Sequence, residues 1–318
     1  MASRKMSDEI NIVRVYDAPV QAVWDAWTDP AQAAQWWGPR GFTLTTHSKD
    51  LRVGGHWTYT MHGPDGTDYP NKTIYHEVIE GRRLVYDHGG NDDRPPLFRV
   101  TVDFLDIGGK TRMEMTMRCP SPEETEATRQ VIKKFGGNST WDRLAEYLED
   151  ETSGKDIFVI NRSFDADIDT VFEMWVNPEH FSKWMGPAGT STSFISVDVR
   201  EQGSSHYAMT SADGPTMYGQ CHYQRISPPH LLAYTQNFSD KDGNLIKPSF
   251  APTWPDAMLT TVVFTEEGPG QTRVTLTWEV YGAATEIERR TFRDAKPGMT
   301  VGWTGSFDRL EEALLPGH

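Results

Sequence analysis

Two long stretches of this sequence resemble each other at a constant spacing of 148 positions. Residues 12–39 match residues 160–187, and the same spacing aligns Tyr59 with Tyr207. Beyond that point the spacing grows, which indicates loops of different length, chiefly an insertion at 240–256. A repeat this long exceeds any solenoid unit. The sequence therefore predicts two whole domains of one kind in tandem.

Within each copy the order of elements follows from hydrophobic periodicity and turn residues. A short alternating strand precedes two short helices, which are separated by Asp29-Pro30 in the first copy and Asn177-Pro178 in the second. The residue before a proline avoids the helical region, so a helix ends there. Six evenly spaced strands follow without intervening helices, as in an antiparallel meander. A long amphipathic helix closes each copy.

The closing helices differ between the copies. In the first, Ser121 and Pro122 predict the helix start, and apolar residues recur at helical spacing: Val131, Phe135, Trp141, Leu144 and Leu148. In the second, Pro297-Gly298 predicts an interruption or kink before Met299. A short polar linker then places the two domains at 9–150 and 156–316.

The overall composition excludes several functions. The net charge is −14, whereas nucleic-acid binding normally leaves a basic surface, so no nucleic-acid partner is expected. No stretch approaches the roughly 20 apolar residues of a membrane span, so no membrane insertion is expected. Cys119 and Cys221 form neither a disulfide framework nor a metal motif, and we expect a cytoplasmic protein without a cofactor.

This order of elements describes an α+β helix-grip fold, a curved antiparallel sheet wrapped on a long C-terminal helix. Both copies resemble the activator-of-Hsp90-ATPase-like branch of the START/Bet v 1-like (SRPBCC) superfamily. The motifs VWDAWTDPAQAAQWWGP and VFEMWVNPEHFSKWMGP carry the resemblance. In the first copy, Gly136-Gly137-Asn138 departs from the Gly-Trp of the family's last helix. The superfamily contains lipid carriers, hormone receptors, polyketide cyclases and chaperone cofactors, so the fold alone does not select a function.

Alternation along the strands selects the candidate ligand-binding residues. Residues of one parity share a face, and the face that looks toward the helix is rich in aromatic and thioether groups with a few polar tips. Such a wall suits a small apolar or aromatic ligand. The candidates are Trp36, Trp57, Tyr59, Met61, Tyr86, His88, Met113 and Met115 in the first copy. In the second they are Trp184, Tyr207, Met209, Tyr234, Gln236, Trp278 and Trp303.

Two sets of candidates leave alternatives open. Trp36 and Trp184 either form a lip over the mouth of the cup or anchor the second short helix to the sheet. The strand residues either line a cavity or simply fill the core. Most histidines of the first copy are expected on the solvent face, no metal site is expected, and His88 is the histidine that shares a face with Tyr86.

Three functions are compatible with these residues. The first is non-catalytic binding of a small apolar molecule. The second is a cyclase, aromatase or small hydrolase that uses Tyr86 and His88 as acid and base. The third is a cochaperone-like interaction protein with an unidentified protein partner. His88 of the first copy aligns with Gln236 of the second. The ligand sites of the two copies are therefore expected to hold different ligands.

Overall fold

A computed structural model describes residues 8–91, 93–134, 139–153, 156–187, 189–211 and 214–315. The chain divides into two compact units, Met1–Thr152 and Ser153–His318. Each unit has its own core of buried apolar side chains. In the described part of the chain, no helix is both long and apolar enough to cross a membrane.

The first unit begins with a strand, two short helices and a meander. Its elements are β1 (Glu9–Tyr16), α1 (Val20–Thr28), α2 (Pro30–Trp36), β2 (Thr43–Lys49), β3 (His56–His62), β4 (Asp68–Ile79), β5 (Arg83–Gly90), β6 (Phe98–Asp106), β7 (Thr111–Arg118), α3 (Pro122–Lys134) and α4 (Ser139–Ser153). Its strands pair antiparallel in the order β1-β7-β6-β5-β4-β3-β2. The predicted Phe135 and Gly136-Gly137-Asn138 lie outside the described residues.

The second unit repeats this plan. Its elements are β8 (Ile157–Phe164), α5 (Ile168–Val176), α6 (Pro178–Trp184), β9 (Thr190–Ser196), β10 (Ser204–Ser211), β11 (Met217–Ser227), β12 (Leu231–Ser239), β13 (Met258–Gly268), β14 (Gln271–Val280) and α7 (Glu286–Ala313). The sheet order is β8-β14-β13-β12-β11-β10-β9. Both units are therefore α+β helix-grip folds with curled antiparallel sheets, which confirms the predicted fold class.

Asp29 and Asn177 explain why each pair of short helices breaks where it does. Each residue has an extended backbone and precedes a proline that can start the next helix. The Asp29 carboxylate accepts hydrogen bonds from the first amides of α2, and the Asn177 side chain accepts one from Glu179 in α6. One residue therefore ends the first helix and caps the second.

The predicted interruption at Pro297 is wrong, because α7 continues through the proline from Glu286 to Ala313. Two features upstream explain the early start. Thr285 and Glu288 form a capping box that satisfies the first amides of the helix. Phe292, which lies N-terminal to the proline in α7, is fully buried in the core of the second unit. The stabilisation of the α7 N-terminus by its capping box and by the buried Phe292 exceeds the destabilising effect of Pro297 on the helix.

Candidate ligand-binding site

The inner face of the first sheet carries a continuous aromatic wall. Trp57 and Tyr59 lie two residues apart on β3, with ring centroids 4.2 Å from each other, and both are almost completely buried. Trp37, which follows α2, packs edge-on against Trp57 at 5.0 Å. On β5, Tyr86 is buried on the same side and contacts Tyr75 of β4 at 6.2 Å. The parity predicted for these strands is the one observed.

A polar pair, Tyr59 and His88, lies within this wall. The Tyr59 hydroxyl lies 3.4 Å from Nδ1 of His88, within hydrogen-bond distance. Phe98 stacks on the His88 imidazole at 5.1 Å, and Trp37 approaches it at 6.5 Å. Desolvation by burial lowers the pKa of His88 to about 4 and raises the pKa of Tyr59. Both groups are therefore neutral at pH 7.

Lys49 is a residue of this face that the sequence pattern did not indicate. It is the cross-strand partner of Trp57 in the β2–β3 pair, and its Nζ lies 4.0 Å from the centroid of the Trp57 ring. The same nitrogen donates to the Trp27 carbonyl at 3.0 Å. Burial lowers the pKa of Lys49 to about 7, against the opposing attraction of Asp29. The cross-strand pairing of Lys49 with Trp57 would have identified it. A bulge between Thr46 and Ser48 shifts the strand register, so the alternation along β2 did not show this pairing.

Trp36 and Trp184 are the last residues of the second short helix of each unit. Both side chains are completely buried. The Trp36 indole N–H donates to the Ala26 carbonyl at 3.0 Å, and Trp184 donates to the Met174 carbonyl at 2.8 Å. These hydrogen bonds join the second short helix of each unit to the first, at Ala26 of α1 and Met174 of α5. The two alternatives drawn from the sequence, a lip over the cup or an anchor to the sheet, stay predictions.

The methionine candidates occupy two different places. Met61 lies beneath the turn after α2, where a Cβ added to Gly38 would come within 3.1 Å of its methyl carbon. Met209 lies against Gly186 in the same way. Met113 and Met115 are buried on β7, which lies near the other edge of the sheet from β3. There the Tyr16 hydroxyl lies 4.0 Å from the Met113 sulfur.

The inner face of the second unit has different polar groups. Tyr207 lies over Gly219, where an added Cβ would meet its hydroxyl at 2.4 Å. Gln236 replaces the histidine and pairs across the strands with Cys221. Burial raises the pKa of the Cys221 thiol to about 12 and holds that of Tyr234 well above its ordinary value. None of these side chains changes charge near neutral pH.

Tryptophans on the closing helices stack onto the first helix of each unit. The Trp303 ring of α7 lies parallel to the Trp175 ring of α5, with centroids 6.0 Å apart. Trp278 of β14 packs edge-on against Trp303 at 5.7 Å. In the first unit, Trp141 of α4 stacks on Trp27 at 5.6 Å in the same way. These contacts hold α4 against α1 and α7 against α5, and they place Trp278 and Trp303 in or against the core of the second unit.

The remaining histidines of the first unit lie mainly on its outer face, as predicted. His56 is exposed, His62 contacts Asp68 at 2.6 Å, and His76 contacts Asp87 at 2.7 Å. Within the described ranges, no group of three or more His, Cys, Asp or Glu side chains is arranged to hold a metal ion.

A family model described as "Activator of Hsp90 ATPase homolog 1-like protein" matches residues 17–149 and again 165–315. The chain belongs to this family. The two AHSA1-like matches together cover most of the sequence, and the resemblance inferred from the two tryptophan-rich motifs is confirmed.

Solved structures of similar proteins each match about half of the chain. A protein from Mycobacterium smegmatis is 22% identical, with a TM-score of 0.43, and the match covers 51% of this chain and 92% of that protein. The AHSA1 protein from Silicibacter pomeroyi is 16% identical, with a TM-score of 0.40, covering 51% and 99%. An AHSA1-like protein from Aeromonas hydrophila is 24% identical, with a TM-score of 0.34, covering 45% and 94%. No curated protein matches the chain.

Proposed function

We propose that the first unit binds a small apolar or aromatic molecule between its sheet and its closing helices, without transforming it. The observation that carries this proposal is the Tyr59–His88 pair, whose atoms are 3.4 Å apart within an aromatic wall. In this proposal Trp57 and Tyr86 contact the apolar body of the ligand. Tyr59 and His88 supply the hydrogen bond that orients it.

The electrostatics of the pair favour a neutral ligand. Since His88 is uncharged at pH 7 and Tyr59 stays protonated, the pair offers dipoles and no net charge. A charged ligand would lose its hydration there without a counter-charge. Lys49 lies on the same face with a pKa that burial lowers to about 7, and it already interacts with the Trp27 carbonyl and the Trp57 ring.

The same pKa shifts favour binding over acid–base catalysis. An effective general base or acid has a pKa near the working pH. His88, with a pKa of about 4, is a weak base at pH 7, and the raised pKa of Tyr59 makes it a weak acid. These values weigh against a cyclase, aromatase or hydrolase that uses this pair.

For the second unit we propose a different ligand preference. Tyr207, Tyr234 and Gln236 stand where the first unit has Tyr59, Tyr86 and His88. The Gln236 amide has two N–H donors and one carbonyl acceptor, whereas the neutral His88 imidazole has one ring donor and one ring acceptor. The two units would then separate ligands by the hydrogen bond each can make.

Native mass spectrometry of the full chain tests the proposal after incubation with a metabolite extract. We expect a retained small molecule in the wild type and reduced retention in His88→Gln, which gives the first unit the side chain of the second. His56→Gln, on the exposed outer face, is the matched control and should retain the molecule. Absence of any retained molecule, or equal loss in both variants, would contradict the proposal.

We propose domain bounds of 9–150 and 156–316, which the two separate cores support. We also propose a cytoplasmic location, supported by the free thiols of Cys119 and Cys221. A cochaperone-like role, which the family's name suggests, is tested by adding the chain to a chaperone and measuring ATP hydrolysis.

A further inference from the structure

The insertion of the second unit borders a cavity on the outer face of its sheet, away from the helix-facing wall. The cavity has a volume of about 300 Å³ and lies over β10, β11 and β12. Ser204, His222 and Thr235 occupy neighbouring positions on this face, because Ser204 pairs with His222 and His222 pairs with Thr235. The rest of the lining is formed by Gln220, Cys221, Asn237, Gly243, Leu245 and Ala257.

Hydrogen bonds hold the loop that borders this cavity. The Asp240 carboxylate accepts from the backbone amides of Asp242 and Asn244, each at 2.9 Å. The Gln220 side chain donates to the Gly243 carbonyl at 3.0 Å, and so ties the loop to β11. The loop is therefore a built wall of the cavity.

The lining offers hydroxyl, amide and imidazole groups for hydrogen bonding. Nδ1 of His222 lies 3.1 Å from the Ser204 hydroxyl, which leaves Nε2 of the ring for a ligand. The side chains of Thr235 and Asn237 have no hydrogen-bond partner among the described residues. In the described part of the chain, no Asp, Glu, Lys or Arg lines the cavity. Amide and hydroxyl groups both donate and accept, as alcohol groups do.

We propose that this cavity binds a small neutral polyhydroxylated molecule, such as a monosaccharide or an inositol. Vicinal hydroxyls can both donate hydrogen bonds to and accept them from the side chains of Thr235, Asn237 and His222. A charged ligand would be desolvated there without an opposite charge. Leu245, exposed at the rim, offers an apolar surface to the C–H face of a ring. This site is independent of the ligand proposed for the first unit.

The first unit has different residues at the equivalent positions, which suggests test substitutions. At the positions matching Thr235 and Asn237 it has Asp87 and Gly89, and Asp87 is bound by Arg99 at 2.8 Å. The connection between β5 and β6 also lacks the long insertion. The variant Thr235→Asp therefore places the side chain of the first unit in the cavity of the second.

Saturation-transfer NMR on the full chain, with D-glucose, D-galactose and myo-inositol as probes, tests this site. We expect binding of at least one probe, unaffected by raising the salt concentration, and weakened about tenfold or more in Thr235→Asp. Asn237→Gly should weaken it in the same direction. Thr261→Asp makes the same change on the same face outside the cavity and should leave binding unchanged.

Three results would overturn the proposal: no transfer to any probe, equal transfer in the wild type and Thr235→Asp, or strong salt dependence. Inorganic phosphate added as a competitor should not displace the probe. Displacement by phosphate would show that an anion is preferred and would contradict a neutral ligand.

Discussion

The guanidinium group of Arg143 donates a hydrogen bond to the carbonyl oxygen of Gly38, 2.8 Å away. It also donates to the carbonyls of Gln35, Pro39 and Phe42. In the second unit Arg309 donates in the same way to Gly186 at 3.1 Å. Two motifs that recur in both copies, Trp-x-Gly-Pro and Asp-Arg-Leu, are therefore parts of one contact. It joins the end of the second short helix to the closing helix.

Replacing Arg143 with methionine should destabilise the first unit by about 2–3 kcal/mol, because several partly buried carbonyls lose a charged donor. Urea denaturation followed by tryptophan fluorescence measures this. Arg52→Met is the control, since Arg52 is largely exposed and pairs with Asp50 on the surface. Its effect should stay within about 0.5 kcal/mol. Equal effects of the two substitutions would contradict a stabilising role for the Arg143 contacts.

Gly219→Ala should destabilise the second unit by about 1–3 kcal/mol, since the new methyl group would overlap the half-buried Tyr207 ring. In the first unit the matching residue is Asn71, so the two tyrosines lie differently over their sheets. Gly302→Ala, in α7 with open space around it, should instead stabilise by up to about 1 kcal/mol. The same sign for both, measured by thermal unfolding, would refute the steric explanation.

The stability of the first unit should fall as the pH drops from 6.5 to 4. The pKa of His88 is lowered to about 4 in the folded protein, so in this window the unfolded state binds more protons than the folded state. At about 1.36 kcal/mol per pH unit, the loss is up to about 3 kcal/mol. His88→Gln should flatten this part of the pH profile in urea denaturation, and His56→Gln should not. A profile unchanged by His88→Gln would be the contrary result.

Lys49 should titrate near pH 7, far below an ordinary lysine. In the folded state its ammonium group is the disfavoured form, so this residue makes stability rise with pH between about 7 and the ordinary lysine pKa. NMR of ¹³C-methylated lysines measures the titration directly. One resonance should have a midpoint near 7 and disappear in Lys49→Arg. A midpoint near 10 would show that the Trp57 and Trp27 contacts keep the amine charged.

Much of the fold was predictable because the sequence contains it twice. Each copy's turn residues and strand alternation agree with the other's, and the alternation alone placed Trp57, Tyr59, Tyr86 and His88 on one face. Lys49 was not predictable in this way. The bulge between Thr46 and Ser48 inverts the alternation of β2, and only the paired strand reveals which face the lysine shares.

Two other features depend on contacts between distant parts of the chain. Burial of Phe292 stabilises the N-terminal part of α7. The sequence around Pro297 alone predicts a break there, because it does not show that Phe292 is buried. The outer cavity is bordered by a loop that the Gln220 side chain ties to β11 at Gly243. The 240–256 insertion was visible in the sequence, but the direction in which it folds back was not.

In the proposed function, Tyr59 and His88 contact a neutral aromatic ligand in the first unit. The most direct test follows the His88 imidazole by ¹H–¹⁵N NMR while indole, p-cresol and 2-naphthol are titrated into the full chain at pH 7. We predict a neutral His88 ring whose resonances shift and saturate with at least one probe, with a weaker response in Tyr59→Phe. A His88 ring that is protonated at pH 7, or that no probe perturbs, would contradict this function.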